Sequence, residues 1–158
     1  MSSIWKRENK FFALLVFAGE IENCPTVILT PTNQPAHWAK MKDLQLSVFN
    51  IATANRDDHL PNHGFIRTPA GWRLAPAFYM NPSFRKAEHV LSLDLYNHQP
   101  DFQVAIATAE YYRMDSARAG RIVSEVCKVV KEWKVCARRI GLSEQECSEA
   151  EHLFCYGN

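Results

Sequence analysis

Apolar positions recur at helical spacing before residue 60 and again after residue 100, with shorter alternating runs between them. Trp38, Met41, Leu44, Val48, Ile51 and Ala52 fall on one stripe, and Lys40, Lys42, Asp43 and Gln45 fall off it. This predicts a helix from about Ala36 to Ala54. Phe65–Arg67 and Trp72–Leu74 flank a Pro69–Gly71 turn and predict a β-hairpin. Farther on, Phe102, Ala105, Ile106 and Ala109 share a face behind Asp101, a suitable N-cap after Pro100. A longer stripe through Ile122, Val126, Val129, Val130, Trp133 and Ala137 predicts one helix from Asp115 or Ser116 to Gly141, a natural C′ residue. Ser143-Glu-Gln-Glu146 is a capping box, opening a last helix that ends near Phe154. Two β-prone runs, Phe11–Phe17 and Thr26–Leu29, precede a loop marked by Pro25, Pro31 and Pro35. The stretch from Pro82 to Pro100 reads as irregular, with a strand at Val90–Leu95.

A chain of 158 residues is one domain's worth, able to bury about two-thirds of its unfolded surface. The net charge of +1 gives no reason to expect nucleic acid or an anionic membrane as the main partner. Five cysteines (Cys24, Cys127, Cys136, Cys147 and Cys155) are odd in number and contain no C-x-x-C pair, so reduced thiols in a cytoplasm are expected. Cys127 and Cys136 read as small apolar residues of a helical core. The run Phe11–Ala18 follows Lys6, Arg7 and Lys10 like a secretory signal, but it is short and Glu8 interrupts the basic region. A buried strand or core segment is the favoured reading, and the run is too short for a transmembrane helix. Lys128, Lys131, Lys134, Arg138 and Arg139 read as a solvated basic face.

The chemistry is concentrated in Asn55-Arg-Asp-Asp-His-Leu-Pro-Asn-His-Gly-Phe65, just after the first helix. Asp57 and Asn62 stand five positions apart, the spacing of the protein-kinase catalytic loop. There an aspartate accepts the substrate hydroxyl's proton and an asparagine holds magnesium on the nucleotide phosphates. Base and metal ligand must converge on one phosphoryl group, and four intervening residues let the loop turn back on itself. Asp58 leaves only four positions to Asn62 and is read as solvent-facing or loop-capping. His59 and His63 lie four apart, but Pro61 between them argues against a shared helical face, so a metal-dependent hydrolase using Asp57, His59 and His63 is the weaker alternative.

The block VFNIATANRDDHLPNHGF followed by GWRLAPAFYMNP resembles the HipA family of bacterial serine/threonine kinases, the toxins of type II toxin–antitoxin pairs. That family's loop reads N-x-D-x-H-x-x-N-x-x-F, matched by Asn55, Asp57, His59, Asn62 and Phe65. The helical stretch Ala107–Tyr112, Val130–Trp133 and Ala137–Ser143 also resembles it, so the resemblance runs from about Trp38 to about Phe154. It implies an α+β, mostly α, kinase-like C-lobe over 38–158, with residues 1–37 unassigned. It further implies Asp57 as catalytic base, His59 as an orienting residue beside it, Asn62 as a magnesium ligand, and Mg²⁺ and ATP as cofactors. The implied partners are an antitoxin or a separate N-lobe, with nucleic acid reached only through the antitoxin, no membrane, and a cytoplasmic location. Two departures stand against activity. The family's Leu-x-Pro-x-Tyr-Asp supplies a second magnesium aspartate, but Leu74-Ala-Pro76-Ala-Phe78-Tyr79 puts a tyrosine there, and a neutral phenol is a poor ligand for a hard cation. Residues 1–37 also show no phosphate-covering loop or Val-Ala-x-Lys strand. The expectation is a lobe inactive on its own; a non-catalytic pseudokinase or interaction module is the alternative.

Overall fold

The computed structural model describes residues 37–69, 71–75, 79–83, 85–94 and 96–154, with side chains outside the description at 37–43 and 72–74. The β-prone runs before residue 30, Cys24, Cys155 and the side chains of Trp38, Met41, Trp72 and Phe78 therefore lie outside the described residues. Five α-helices follow in order: α1 (His37–Ala52), α2 (Phe102–Ala107), α3 (Ser116–Val130), α4 (Trp133–Arg139) and α5 (Glu144–Ala150). Short 3₁₀ turns occur at Leu60–Asn62, Thr108–Tyr112 and Glu151–Leu153. Between α1 and α2 the chain makes one antiparallel hairpin, β1 (Phe65–Thr68) and β2 (Gly71–Leu74), with Phe65 opposite Leu74 and Thr68 opposite Gly71. Gly71 sits at φ +117°, a conformation that L side chains rarely adopt.

The core lies where α1 crosses α3, with α2 packed against both. Leu44, Val48 and Ile51 meet Ile122, Val126 and Val130, whose four-residue spacing puts them on one face of α3. Asp101 and Asp115 cap α2 and α3 by accepting from the backbone N–H of Gln103 and Arg118, each at 2.7 Å. The predicted capping box is present, with Ser143 and Glu146 bonding each other's backbone N–H groups.

Two expectations are corrected. The helix predicted from Ser116 to Gly141 is two helices, because the backbone tightens at Lys131–Glu132, where the Glu132 N–H bonds Val129 O in an i→i−3 pattern. The redirected α4 buries Trp133 flat against Phe154, with ring centroids 4.1 Å apart. It ends as predicted: Gly141 is left-handed and the Leu142 N–H reaches Ala137 O. The strand expected at Val90–Leu95 is an irregular loop through Asp94, and Leu95 itself is outside the described residues. Asp94 Oδ1 accepts from the N–H groups of Tyr96 and Asn97, making a turn that competes with extended pairing. Cys127, Cys136 and Cys147 are buried in the helical core, and burial pushes the Cys147 thiol above its ordinary range. Arg138 pairs with Glu144 and Lys134 with Glu151, so the basic face is laced with surface ion pairs. Among the described residues no helix is long and apolar enough to cross a membrane.

Candidate functional site

The loop after α1 is built from the helix's own C-terminus. A helix leaves its last carbonyls unbonded and carries partial negative charge there. Here Ala54 turns left-handed at φ 54°, and Arg56 folds back so that its guanidinium donates to Asn50 O at 3.0 Å and Ile51 O at 3.3 Å. Arg56 is buried and also faces His89 Nε2 at 3.2 Å. A guanidinium only donates, so His89 accepts there as a neutral imidazole. Burial, and then the Arg56 charge, hold its pKa down to about 4, while a bond to the Asn55 backbone pulls the other way. Loop segments strap the same stretch from outside: Ser83 N–H to Ala54 O at 2.8 Å, and Val90 N–H to Arg56 O at 3.1 Å.

Asn50, in the last turn of α1, is the hub. It is 2% exposed, and its Oδ1 accepts from Asn55 Nδ2 at 3.0 Å while its Nδ2 donates to Asp58 Oδ2 at 2.7 Å. Asp58 also accepts from His63 Nε2 at 3.0 Å. Burial raises the Asp58 pKa, and the contact with His63 opposes that shift. Asp58 is thus a half-buried loop tie rather than solvent-facing, because two donors compensate its carboxylate for lost water. Its partner gives His63 the structural role that spacing did not reveal.

The structure brings Asp57, His59, Asn62 and Tyr79 to one open cleft of about 560 Å³, which Asn81, Arg85 and Lys86 also line. Asp57 is 58% exposed at its side chain and ion-paired with Lys86. Leu60–Asn62 makes one 3₁₀ turn that tolerates Pro61 near its start, where the missing N–H costs no helical bond. The turn carries Asn62 back so that its Nδ2 donates to Asp57 O at 3.2 Å, and its Oδ1 remains an acceptor. His59 lines the cleft with a buried Nδ1 that has no hydrogen-bond partner, and Asn81 Oδ1 is likewise buried and unmatched. Tyr79 is 64% exposed at a left-handed φ of 56°. His63 lies off this cleft, in a second pocket with Asp58 and His89. Among the described residues no group of three or more His, Cys, Asp or Glu side chains is placed to hold a metal ion, so the hydrolase alternative has no ligand set here.

The family model described as the HipA-like C-terminal domain matches residues 5–133, well over half of the sequence. The chain belongs to the HipA-like C-terminal domain family. The match begins upstream of Trp38, in a stretch where the motifs had shown no likeness, and stops short of Phe154. Among solved structures, the complex of HipA, HipB and operator DNA from the Shewanella oneidensis MR-1 toxin–antitoxin system is similar in fold, with a TM-score of 0.54 at 19% identity. The likeness covers 72% of this chain and 29% of that one, so the HipA-like chain spans under a third of that structure's length. None of the curated proteins matches it.

The fit to magnesium is partial. A hard cation takes oxygen ligands and favours charged ones. Asn62 Oδ1 meets that need with a neutral oxygen, and His59 Nδ1 and Asn81 Oδ1, on residues that line the cleft, are buried without partners. Tyr79 does not supply the second carboxylate. Asn50, Asn81, Arg85 and Lys86 were not singled out from sequence. Asn50 falls beside the apolar stripe of α1, Asn81 lies in the GWRLAPAFYMNP block without an assigned role, and no motif marks Arg85 or Lys86.

Proposed function

We propose that this chain is the C-lobe of a HipA-like serine/threonine kinase unit, built for ATP- and Mg²⁺-dependent phosphoryl transfer to a protein hydroxyl and inactive without further parts. The observation that carries this reading is the shared cleft of Asp57, Asn62 and Tyr79. Asp57 would take the hydroxyl's proton and Asn62 would hold magnesium, which supplies charge neutralisation on the phosphates. His59 would orient the base. Lys86 bears on the same chemistry, since its ammonium engages Asp57 Oδ1 and leaves Oδ2 to take the proton. Transfer also needs a second metal carboxylate and a lysine on the nucleotide phosphates, normally from an N-lobe.

A second reading is a non-catalytic interaction module that binds an antitoxin or a separate N-lobe, reaching DNA only through the antitoxin. Two observations favour it: the tyrosine at position 79, and the exposed apolar side chains of Leu60 and Phe65, which are 73% and 63% exposed at the hairpin end. Calorimetric titration with ATP, with and without Mg²⁺, separates the two. The kinase lobe should bind ATP weakly and only with magnesium, and Tyr79→Asp should tighten magnesium binding without giving turnover. No magnesium-dependent binding in either protein would favour the interaction module. Autophosphorylation by the unmodified chain, abolished in Asp57→Asn, would overturn the claim of inactivity alone.

A further inference from the structure

We infer that Asp58 and His63 form a clasp that positions the Asp57–Asn62 pair, keyed to α1 through Asn50. Their places in the sequence make the case. Asp58 follows Asp57 and His63 follows Asn62, so the 3.0 Å contact between them closes a ring around the loop one residue beyond each working side chain. The loop's residues divide between its two sides. Asp57, His59 and Asn62 line the open cleft, whereas Asp58, Leu60 and His63 line the pocket behind it.

The two sides are held very differently. On the cleft side the contacts are the exposed Asp57–Lys86 pair and the 3.2 Å bond from Asn62 to Asp57 O. Such surface contacts contribute little. Behind the loop, Asp58 and His63 are 14% and 22% exposed, and the second carboxylate oxygen accepts at 2.7 Å from Asn50, itself buried in the helix. Charge-assisted bonds of this kind, partly shielded from water, are shorter and stronger. The back of the loop is therefore the anchored side. It fixes how far apart the base and the metal ligand stand while neither is itself immobilised by burial. Asp58 and His63 touch no reacting atom on this view; they are positioning residues.

The inference rests on the phosphoryl-transfer reading for its purpose, but its geometry can be tested separately. The full chain and the variants Asp58→Ala, His63→Ala and His63→Gln are compared by amide hydrogen exchange and by titration with Mg·ADP. Amides of residues 57–63 should exchange at least about tenfold faster in both alanine variants, with α3 unchanged. Mg·ADP affinity should fall about tenfold, as for other groups that orient a metal ligand. His63→Gln, which keeps a donor, should recover most of both. Unchanged loop exchange in Asp58→Ala and His63→Ala would overturn the clasp. If neither the unmodified chain nor Tyr79→Asp binds Mg·ADP, the phosphoryl-transfer reading fails instead, and loop exchange with the Asn62 side-chain amide shift alone decides the clasp.

Discussion

The helical half from Asp101 to Phe154 and the loop from Asn55 to His63 are held together by different physics. The first is an apolar core with standard caps, in which Ala119, Ile122, Val126, Trp133 and Ala137 are almost wholly removed from water. The second is a polar lattice in which Asn50, Asn55 and Arg56 are equally buried but bonded to one another and to the end of α1. Apolar packing is non-directional and spreads its contribution over many contacts. A buried polar lattice depends on each partner, because a donor or acceptor left unmatched costs about 1–3 kcal/mol. The scaffold should therefore tolerate conservative exchanges that the loop does not.

The sharpest way to break this contrast is in the scaffold. Trp133→Ala removes a large ring stacked on Phe154 and should cost about 3–5 kcal/mol in urea unfolding, a large share of a small domain's stability. The NMR signals of residues 57–63 in the remaining folded protein should not move. If they do, core and loop are one cooperative structure and the comparison fails. The next largest effect belongs to the hub. Asn50→Ala deletes less volume but strands the Asn55 donor and one Asp58 oxygen, and should cost about 2–3 kcal/mol, with loop amides losing protection first. A loss below about 1 kcal/mol would mean that the lattice is not cooperative.

The same contrast explains what was legible in the sequence. Caps and stripes report local chemistry, so Asp101, Ser143 and the Ile122–Val126 face appear where they were expected. The break at Lys131–Glu132 did not, because the stripe continues through it and only the stacking of Trp133 on Phe154 shows the change of direction. Asp57 and Asn62 share a cleft because spacing constrains a short loop, whereas Tyr79 was tied to the same site only by the family resemblance. Lys86 could not, since it reaches Asp57 from 29 residues away. Asn50 sits among apolar residues and looks like a neutral helix position until its three loop partners are seen. The family match reaches back to residue 5, into a stretch where no motif had been recognised.

A smaller effect distinguishes the loop by its response to acid. His89 is neutral against Arg56, with His98 close by donating from Nδ1 to His89 O at 3.0 Å. In the unfolded chain it takes a proton near its ordinary value of 6.5, but in the fold only near pH 4. The unfolded state therefore binds more protons between those values. Stability is complete above about pH 6.5 and falls as the pH drops toward 4, by about 2 kcal/mol at pH 5. Urea midpoints at pH 7 and pH 5 check this, and His89→Gln should remove most of the difference. An unchanged slope in that variant would assign the acid loss to carboxylates elsewhere.

The smallest expected effect returns to the scaffold and tests whether its local rules are as independent as the contrast requires. Ser143 accepts from the Glu146 N–H through Oγ, and Glu146 Oε2 accepts from the Ser143 N–H at 2.9 Å. Ser143→Ala removes the first bond and the 2.9 Å bond that Ser143 Oγ donates to Glu146 Oε2, and leaves an exposed N–H and carboxylate that water can satisfy. The cost should be about 1 kcal/mol, within the range for lost N-caps. It should add to the cost of Asn50→Ala in the double variant, because the capping box and the Asn50 bonds share no residue and additivity holds for independent sites. A coupling well above about 0.5 kcal/mol would show that α5 is linked to the loop through the core, and that apolar packing also transmits strain between the two regions.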